Sequence, residues 1–168
     1  MDVLNFEQKL HDGKVGESII ACWLRKRGFH VLPIYDKEMG EYKGPAVYLA
    51  DGEEVIAPDI LAFDGSKIIW IEAKHKHGFS WYRKTQKWVT GIDLKYYHEY
   101  IRISELVDWP IWIMFLHKGG QAKDSPESPS GLYGGELKNL LHRESHRSDK
   151  MGSEGMVFWA IDMLNKLE

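Results

Sequence analysis

The sequence predicts an α/β protein in which a mixed central sheet is flanked by helices. Two apolar runs, at 59–63 and 67–71, are separated by Asp64-Gly65, a dipeptide that is typical of tight hairpin turns. A stripe of apolar residues at helical spacing precedes this hairpin, and an apolar run at 110–116 follows it. Helices and strands that succeed one another in this order favour a layered α/β architecture.

The elements follow in chain order from periodicity and turn residues. A first helix is predicted over 14–28, because its apolar stripe ends at Gly28. The next elements are predicted to be a strand at 29–34, a loop at 36–45, strands at 46–50 and 55–63, and the hairpin partner at 67–74. A helix is then predicted at 80–107, which Gly91 interrupts and whose second part Asp93 caps. The remaining elements are predicted to be a strand at 110–116, an irregular segment at 117–135, a short helix at 136–143, a loose stretch at 144–155, a strand at 156–160 and a terminal helix at 161–168.

Length and composition fit one domain over residues 1–168. The formal net charge of −3 provides no strong overall field, so a nucleic-acid partner would require a local basic patch. The single cysteine, Cys22, cannot form an intrachain disulfide and is expected in the core. The single cysteine suggests a reducing compartment, and the sequence shows no signal peptide and no apolar segment of membrane length. These observations favour a cytoplasmic protein without a membrane partner.

The predicted hairpin brings Asp59, Glu72 and Lys74 onto one face of the sheet. Glu72 and Lys74 share a face because side chains alternate along a strand. A turn formed by residues 64–65 would place Asp59 diagonal to Glu72, and a turn formed by 65–66 would place it directly opposite. Both registers bring the three side chains within reach of a common ion, whereas a three-residue turn without a bulge would reverse the faces.

This arrangement of two acids and a lysine predicts metal-assisted hydrolysis of a phosphodiester. Two close carboxylates repel each other, and Mg²⁺ accepts carboxylate, water and phosphate oxygens, so Mg²⁺ or Mn²⁺ held by Asp59 and Glu72 would remove the conflict. Lys74 could polarise an attacking water and stabilise developing negative charge. The alternative is a hairpin whose charged side chains point to solvent.

These residues resemble the signature of the PD-(D/E)XK nuclease superfamily. The matching residues are Pro58-Asp59, Glu72-Ala73-Lys74 and the helix-borne Glu17. Within that superfamily, segments 13–17 and 27–31 are similar to the opening of archaeal Holliday-junction resolvases and related nucleases. The resemblance covers residues 14–116, leaves 117–168 unmatched, and implies a restriction-endonuclease-like core.

The resemblance also implies a role for each matching residue. Asp59, Glu72 and the Ala73 carbonyl would be metal ligands, Lys74 would be the catalytic lysine, and Glu17 would be an accessory acid. Glu17 lies on the apolar stripe of its helix, where an acid must be paired, bind a metal or sit at a boundary. The alternative for Glu17 is a position near a helix N-terminus that the dipole favours.

A basic and aromatic stretch at 74–87 contains five lysines and arginines and no acid. Basic groups bind phosphates and aromatic faces stack on unpaired bases, so Lys76, Arg83, Lys84 and Lys87 are predicted to bind nucleic acid. Gln86 resembles a polar residue that several nucleases of this superfamily carry on the helix after the lysine, so the resemblance adds it to the residues predicted to bind nucleic acid. The alternative is a solvated helix whose aromatic residues pack into the core.

The leading interpretation is a metal-dependent DNA endonuclease that acts in repair, recombination or phage DNA processing. One alternative is a nucleic-acid-binding module that keeps the fold without catalysis, and another is an RNA-directed nuclease. A fold alone does not decide among these functions. The sequence also leaves open whether the protein forms a homodimer.

Overall fold

The structure, a computed structural model, describes residues 3–33, 45–121 and 124–168. The helices are α1 (Val3–Lys26), α2 (Leu94–Leu106) and α3 (Leu137–Leu140), with a 3₁₀ helix at Ile161–Met163. The strands, numbered in chain order, are β1 (His30–Pro33), β2 (Ala46–Tyr48), β3 (Glu54–Ile56), β4 (Ile60–Phe63), β5 (Ile68–Lys76), β6 (Ser80–Tyr82), β7 (Lys87–Asp93), β8 (Ile111–His117), β9 (Gly120–Gln121), β10 (Glu127–Ser128), β11 (Gly131–Glu136), β12 (His146–Ser148), β13 (Met156–Ala160) and β14 (Asn165–Lys166). Of the loop predicted at 36–45, residues 36–44 lie outside the described part of the chain.

The central element is a mixed sheet with the strand order β1-β4-β5-β8-β11-β14 across the described residues. β5 and β8 run parallel, while the other neighbouring pairs in this sheet are antiparallel. The connection from β5 to β8 passes through α2, as a parallel pair requires a crossover. The predicted fold class, a mixed sheet flanked by helices, is therefore what the chain adopts.

The two faces of the central sheet carry separate apolar cores. On one face, Ile20 and Leu24 of α1 pack with Met114 of β8 and its neighbours. On the other face, Tyr97 of α2 packs in a cluster with Phe115 of β8. Since β8 is covered on both sides, its sequence is a continuous apolar run rather than an alternating one, and the strand predicted at 110–116 is confirmed.

The first helix is longer than predicted, since α1 begins at Val3 rather than at residue 14. It ends at Lys26, and Gly28 follows with φ +87°, a conformation that favours glycine. Cys22 is exposed on α1, so the expectation that it lies in the core is wrong. Within the three described ranges, no helix has both the length and the apolarity needed to cross a bilayer.

The helix predicted over 80–107 is confirmed only from residue 94 onward. Residues 80–93 form a hairpin of β6 and β7, which joins β13 and β12 in a second antiparallel sheet. The β-branched residues of β7 suit a strand, and Gly91 leaves room for the neighbouring backbone, because a Cβ there would collide with the Val157 carbonyl oxygen. Asp93 does precede α2 as its N-cap residue, although its side chain makes no capping hydrogen bond.

The C-terminal third contains more strand than predicted. The segment at 117–135 includes the small β9–β10 hairpin and most of β11, a strand of the central sheet. Gly134 in β11 permits close packing, since a Cβ there would lie 2.9 Å from the Ile113 carbonyl oxygen. The strand at 156–160 is confirmed as β13, whereas 161–168 is a 3₁₀ turn followed by β14 rather than a helix.

Candidate functional site

The β4–β5 hairpin has the register in which residues 65–66 form the turn. The Asp64 amide donates a hydrogen bond of 3.2 Å to the Lys67 carbonyl, and the Asp64 carboxylate accepts one of 2.9 Å from the Lys67 amide. Of the two registers that the sequence leaves open, this is the one that places Asp59 level with Glu72. The predicted shared face is therefore present.

The Asp59 carboxylate lies against β5 just before the start of β4. Its Oδ2 accepts a hydrogen bond of 3.0 Å from the Ala73 amide, so the acid is anchored beside the peptide that follows Glu72. Burial, together with the nearby charge of Glu72, raises the pKa of Asp59 to about 8. Burial and the neighbouring acid therefore make the charged form of Asp59 costly.

Glu72 is buried directly beside Asp59, with 1% of its side chain exposed. One carboxylate oxygen, Oε1, forms an ion pair with the Lys74 ammonium. The other, Oε2, is buried and has no hydrogen-bond partner among the residues that the structure describes. Because a buried polar atom without a partner costs about 1–3 kcal/mol, Oε2 is the Glu72 oxygen that an additional ligand would satisfy.

Lys74 remains charged in this environment. Burial favours the neutral amine, but the carboxylates of Glu72 and Asp59 outweigh it and hold the pKa of Lys74 above its usual value. The ammonium also lies 5.3 Å from the ring centroid of Tyr96, a cation–π distance. Its side chain keeps 28% of its surface exposed, so the charge can reach a molecule in the solvent.

Two tyrosines of α2 complete the buried side of the site, and the sequence reasoning did not find them. Tyr96 packs near Lys74, while Tyr100, one turn later and 2% exposed, lies close to the Glu72 carboxylate. Burial raises the pKa of Tyr100 well above its usual value, and Glu72 adds to this, so the phenol keeps its proton. The i, i+4 spacing of two tyrosines on a predicted helix was the available signal.

Glu17 reaches the site because α1 lies unusually close to β5. The preceding residue, Gly16, faces His75, and a Cβ at Gly16 would lie 2.5 Å from the His75 Cβ. Glu17 is half-buried, and burial followed by the charge of Glu72 raises its pKa. The structure thus places Glu17 next to the predicted acids, as expected of an accessory acid.

An open cavity of about 300 Å³ lies over these residues. Its lining includes Glu17, Asp59, Ala73, Lys74 and Lys76. In the described part of the chain, no three His, Cys, Asp or Glu side chains come together as a metal-binding group. A cation here would therefore have to complete its coordination with backbone carbonyls, waters or substrate oxygens.

The residues predicted to bind nucleic acid divide into two places. Lys76 lines the cavity, whereas the other four lie on the hairpin of β6 and β7. Arg83, Lys84 and Gln86 are exposed on its turn, and Lys87 forms an ion pair of 2.6 Å with Asp162. Gln86 has φ +52° in this turn, so it is not on a helix after the lysine, and that part of the resemblance is wrong.

Comparisons with known proteins support the fold and nothing finer. No protein-family model matches the sequence, and no curated protein matches it. Among solved structures, the chain is similar to Hjc of Archaeoglobus fulgidus, a Holliday junction resolvase from an archaeal hyperthermophile, with a TM-score of 0.53 and 9% identity over 90% of each chain. The chain therefore has a nuclease-like α/β fold with a central mixed sheet flanked by helices.

Proposed function

We propose that the protein is a metal-dependent nuclease that hydrolyses DNA phosphodiester bonds. The observation that carries this proposal is the buried Oε2 of Glu72, which has no hydrogen-bond partner in the described ranges and lies beside the Asp59 carboxylate. Two acids in this position repel each other, and a divalent cation between them would relieve both the repulsion and the missing contact.

The residues present fit Mg²⁺ or Mn²⁺. Asp59, Glu72 and the Ala73 carbonyl would hold the ion, and this oxygen set suits a hard cation that keeps several waters and accepts phosphate oxygens. The absence of a third side-chain ligand among the described residues agrees with an ion of this kind rather than with zinc, which is usually held by three or four protein ligands. When bound, the ion would supply a polarised water and charge stabilisation at the phosphate.

The side chains around the ion would each have a separate role in hydrolysis. The Lys74 ammonium, kept charged by its two acidic neighbours, would orient the attacking water and stabilise negative charge on the phosphate oxygens. Tyr100 would hold the Glu72 carboxylate in place from the buried side, and Tyr96 would do the same for Lys74. Glu17, which lines the cavity and whose pKa is raised by burial and by the charge of Glu72, would be the helix-borne accessory acid at the edge of the cavity.

DNA is the proposed partner because lysines line the cavity and further basic side chains are exposed on the β6–β7 hairpin. Lys76 lies next to the metal-binding residues, and Arg83 and Lys84 stand on the β6–β7 turn. By analogy with the Holliday junction resolvase that has a similar fold, the proposal includes a role in repair, recombination or phage DNA processing. A homodimer and a cytoplasmic location are further parts of the proposal.

A nucleic-acid-binding module without catalysis is the second candidate. The ion pair between Lys74 and Glu72 favours it, because the two side chains already compensate each other without a metal. The buried Oε2 atom argues against this candidate, because the ion pair at Oε1 leaves Oε2 without a hydrogen bond.

Cleavage of labelled branched, duplex and single-stranded DNA with Mg²⁺, Mn²⁺ or EDTA tests the proposal. We expect cleavage of at least one substrate with either metal, none with EDTA, and loss of cleavage in Asp59→Asn. Glu105→Gln on the exposed face of α2 is the matched control and should cleave normally. Metal-dependent binding without cleavage would favour the second candidate, and cleavage restricted to RNA would replace DNA as the substrate.

A further inference from the structure

A small apolar cluster lies on the outer face of the second sheet. Side chains alternate along β13, so Val157 and Trp159 pack into the main core while Phe158 belongs to this separate outer cluster. Tyr82 of β6 packs at the margin of the same cluster. The second sheet therefore has an aromatic outer surface that the proposed hydrolysis does not use.

Three aromatic rings from three strands are stacked on this outer face. The His146 ring of β12 is nearly parallel to the Phe158 ring of β13, with 4.7 Å between centroids and 5° between planes. The Tyr82 ring also stacks on His146, at 3.9 Å and 10°. His146 is thus the middle ring of a stack in the order Phe158, His146, Tyr82, which is called the ring column.

The ring column has one buried end and one accessible end. Phe158 is 3% exposed, so no further ring can reach it. Tyr82 is only partly buried, and in the described part of the chain its strand is at the edge of the sheet, in the order β12-β13-β7-β6. Aromatic faces favour stacking with another flat ring. The column can therefore be extended at one position, on Tyr82.

Positive charge lies directly beside this stacking position. Arg83 and Lys84 follow Tyr82 in the β6–β7 turn, and both are exposed. The backbone holds the turn against Tyr82, whose carbonyl accepts a hydrogen bond of 3.2 Å from the Thr85 amide. Within the described ranges, neither Arg83 nor Lys84 forms an ion pair. A ligand that offers a flat ring and a phosphate together would satisfy both features.

A second exposed tyrosine lies in the opposite electrostatic setting. Tyr48 of β2 is 75% exposed beside an apolar cavity of about 580 Å³. Asp51 lines that cavity, and Glu54 lies opposite Tyr48 on β3, so a phosphate backbone would be repelled there. The cations beside Tyr82 thus distinguish it as the tyrosine that suits a polynucleotide.

We propose that the ring column binds an unpaired base of the polynucleotide substrate, stacked on Tyr82 while Arg83 and Lys84 contact the adjacent phosphates. The inference rests on the proposed function, because it takes a nucleic acid to be the substrate of this protein. In a duplex each base is already stacked between its neighbours, so it is not available to Tyr82. The protein therefore prefers substrates with single-stranded segments over fully paired DNA.

Oligonucleotides that keep the phosphates but lack the bases test this proposal. Binding is measured in Ca²⁺ at several salt concentrations for three labelled ligands of equal length: oligothymidylate, a fully abasic strand and a duplex. Tyr82→Leu removes the ring and Tyr82→Phe keeps it, while Tyr48→Leu is the matched control outside the second sheet. Thermal unfolding shows whether each variant is folded, and cleavage by the wild type in Mg²⁺ is measured in parallel.

We expect the wild type to bind oligothymidylate roughly tenfold more tightly than the abasic strand, because each stacked base adds affinity of this order. The log–log salt slopes of these two ligands should be equal, since both carry the same phosphates. Tyr82→Leu should lose the preference for bases and keep its affinity for the duplex. Tyr82→Phe and Tyr48→Leu should both retain the preference.

The outcomes separate the ring column from the proposed function. Equal wild-type affinities for oligothymidylate and the abasic strand, in a protein that cleaves DNA, would overturn the column and leave the nuclease standing; this comparison needs no variant to fold. A preference for bases that survives in folded Tyr82→Leu would also overturn the column. A preference that depends on Tyr82, in a wild type that cleaves nothing, would keep the column and overturn the nuclease. A folded wild type that binds no polynucleotide would overturn both, and is the result expected if this face binds another protein.

Discussion

Gly16 of α1 lies directly against His75 of β5, and this contact sets the distance between the helix and the central sheet. Glu17 is the next residue along α1 and lines the cavity over Asp59. A glycine therefore determines how near an acid on one element comes to a carboxylate on another.

Replacing Gly16 with alanine should destabilise the protein and impair cleavage. The added methyl group would have to displace the His75 side chain or move α1, and overpacking of this kind costs about 1–3 kcal/mol. Denaturant unfolding and DNA cleavage measure the two effects. Gly13→Ala is the control within the same helix, because a Cβ there meets nothing within 4 Å, and it should stabilise α1 by up to about 1 kcal/mol. If the two variants were equally stable, the close contact would have no energetic role.

Lys74→Ala should abolish cleavage while metal binding survives. The ammonium is not expected to be a ligand, so its loss removes charge stabilisation in the chemical step, typically on the order of 100-fold or more. The variant should also be less stable without metal, because the buried Glu72 loses its ion-pair partner. Calorimetry with Mn²⁺ and single-turnover cleavage test both points against Lys67→Ala. Full activity in the folded variant would contradict the role of Lys74.

Arg83 and Lys84 on the β6–β7 turn should contribute a separate part of DNA binding. Replacing both with alanine should weaken binding to many sequences about equally and lower the log–log salt slope by roughly two. Lys87→Ala should have a smaller effect, because Lys87 is already paired with Asp162. Salt-dependent titrations of labelled DNA in Ca²⁺ measure these slopes. An unchanged slope in the double variant would mean that the turn does not contact DNA.

His117 should make folding sensitive to mild acid. The ring is 2% exposed, stacks on Phe79 at 3.7 Å between centroids, and has both nitrogens buried, with the Gly78 backbone near enough to favour a bound proton. Burial, followed by the charge of Lys76, lowers the pKa of His117 to about 4. Between its ordinary pKa of 6.5 and about 4, the unfolded chain binds the proton and the folded one does not, so stability falls as the pH falls through this window.

The total loss that His117 contributes should be about 3 kcal/mol. Asp59, whose raised pKa of about 8 makes the folded chain bind a proton in this window, acts in the opposite direction in every variant. Between pH 7 and pH 4, the unfolding free energy should therefore fall by about 3 kcal/mol more in the wild type, and in His142→Ala, which alters an exposed histidine, than in His117→Phe, which keeps the aromatic stacking. An equally steep dependence in His117→Phe would assign the acid sensitivity to other groups.

The sequence predicted the β4–β5 hairpin well because local rules determine it. Turn chemistry at Asp64 and strand alternation restrict the hairpin to two registers, and both bring Asp59 and Glu72 together. The choice between the registers depends on which two residues form the turn, and the Asp64 carboxylate favours residues 65–66 by accepting hydrogen bonds from the Ser66 and Lys67 amides. The spacing of Gly16 and Glu17 on a helix was also readable, but the proximity of that helix to His75 was not.

Residues 80–93 were mispredicted because tertiary packing determines their conformation. Read alone, this stretch carries basic and aromatic residues that fit a helix as well as a strand. β7 is a strand because it pairs with β13, which lies near the C-terminal end of the chain. The local sequence of residues 80–93 does not predict a partner so distant in sequence. The confirmed part of the predicted helix, α2, supplies Tyr96 and Tyr100 to the site, and what the sequence did not show is that this helix packs beside Glu72 and Lys74.

β5 carries Glu72, Ala73, Lys74 and Lys76 on one uninterrupted strand. The spacing of these four residues along one strand therefore fixes their positions relative to one another, so a shift of β5 would move all of them together. One residue inserted into the turn at 65–66 without a compensating bulge would reverse the face on which β5 presents each side chain relative to Asp59. A change in the length of this turn would consequently disrupt the whole arrangement of the site in one step, whereas substitutions on the surrounding surface would alter it only gradually.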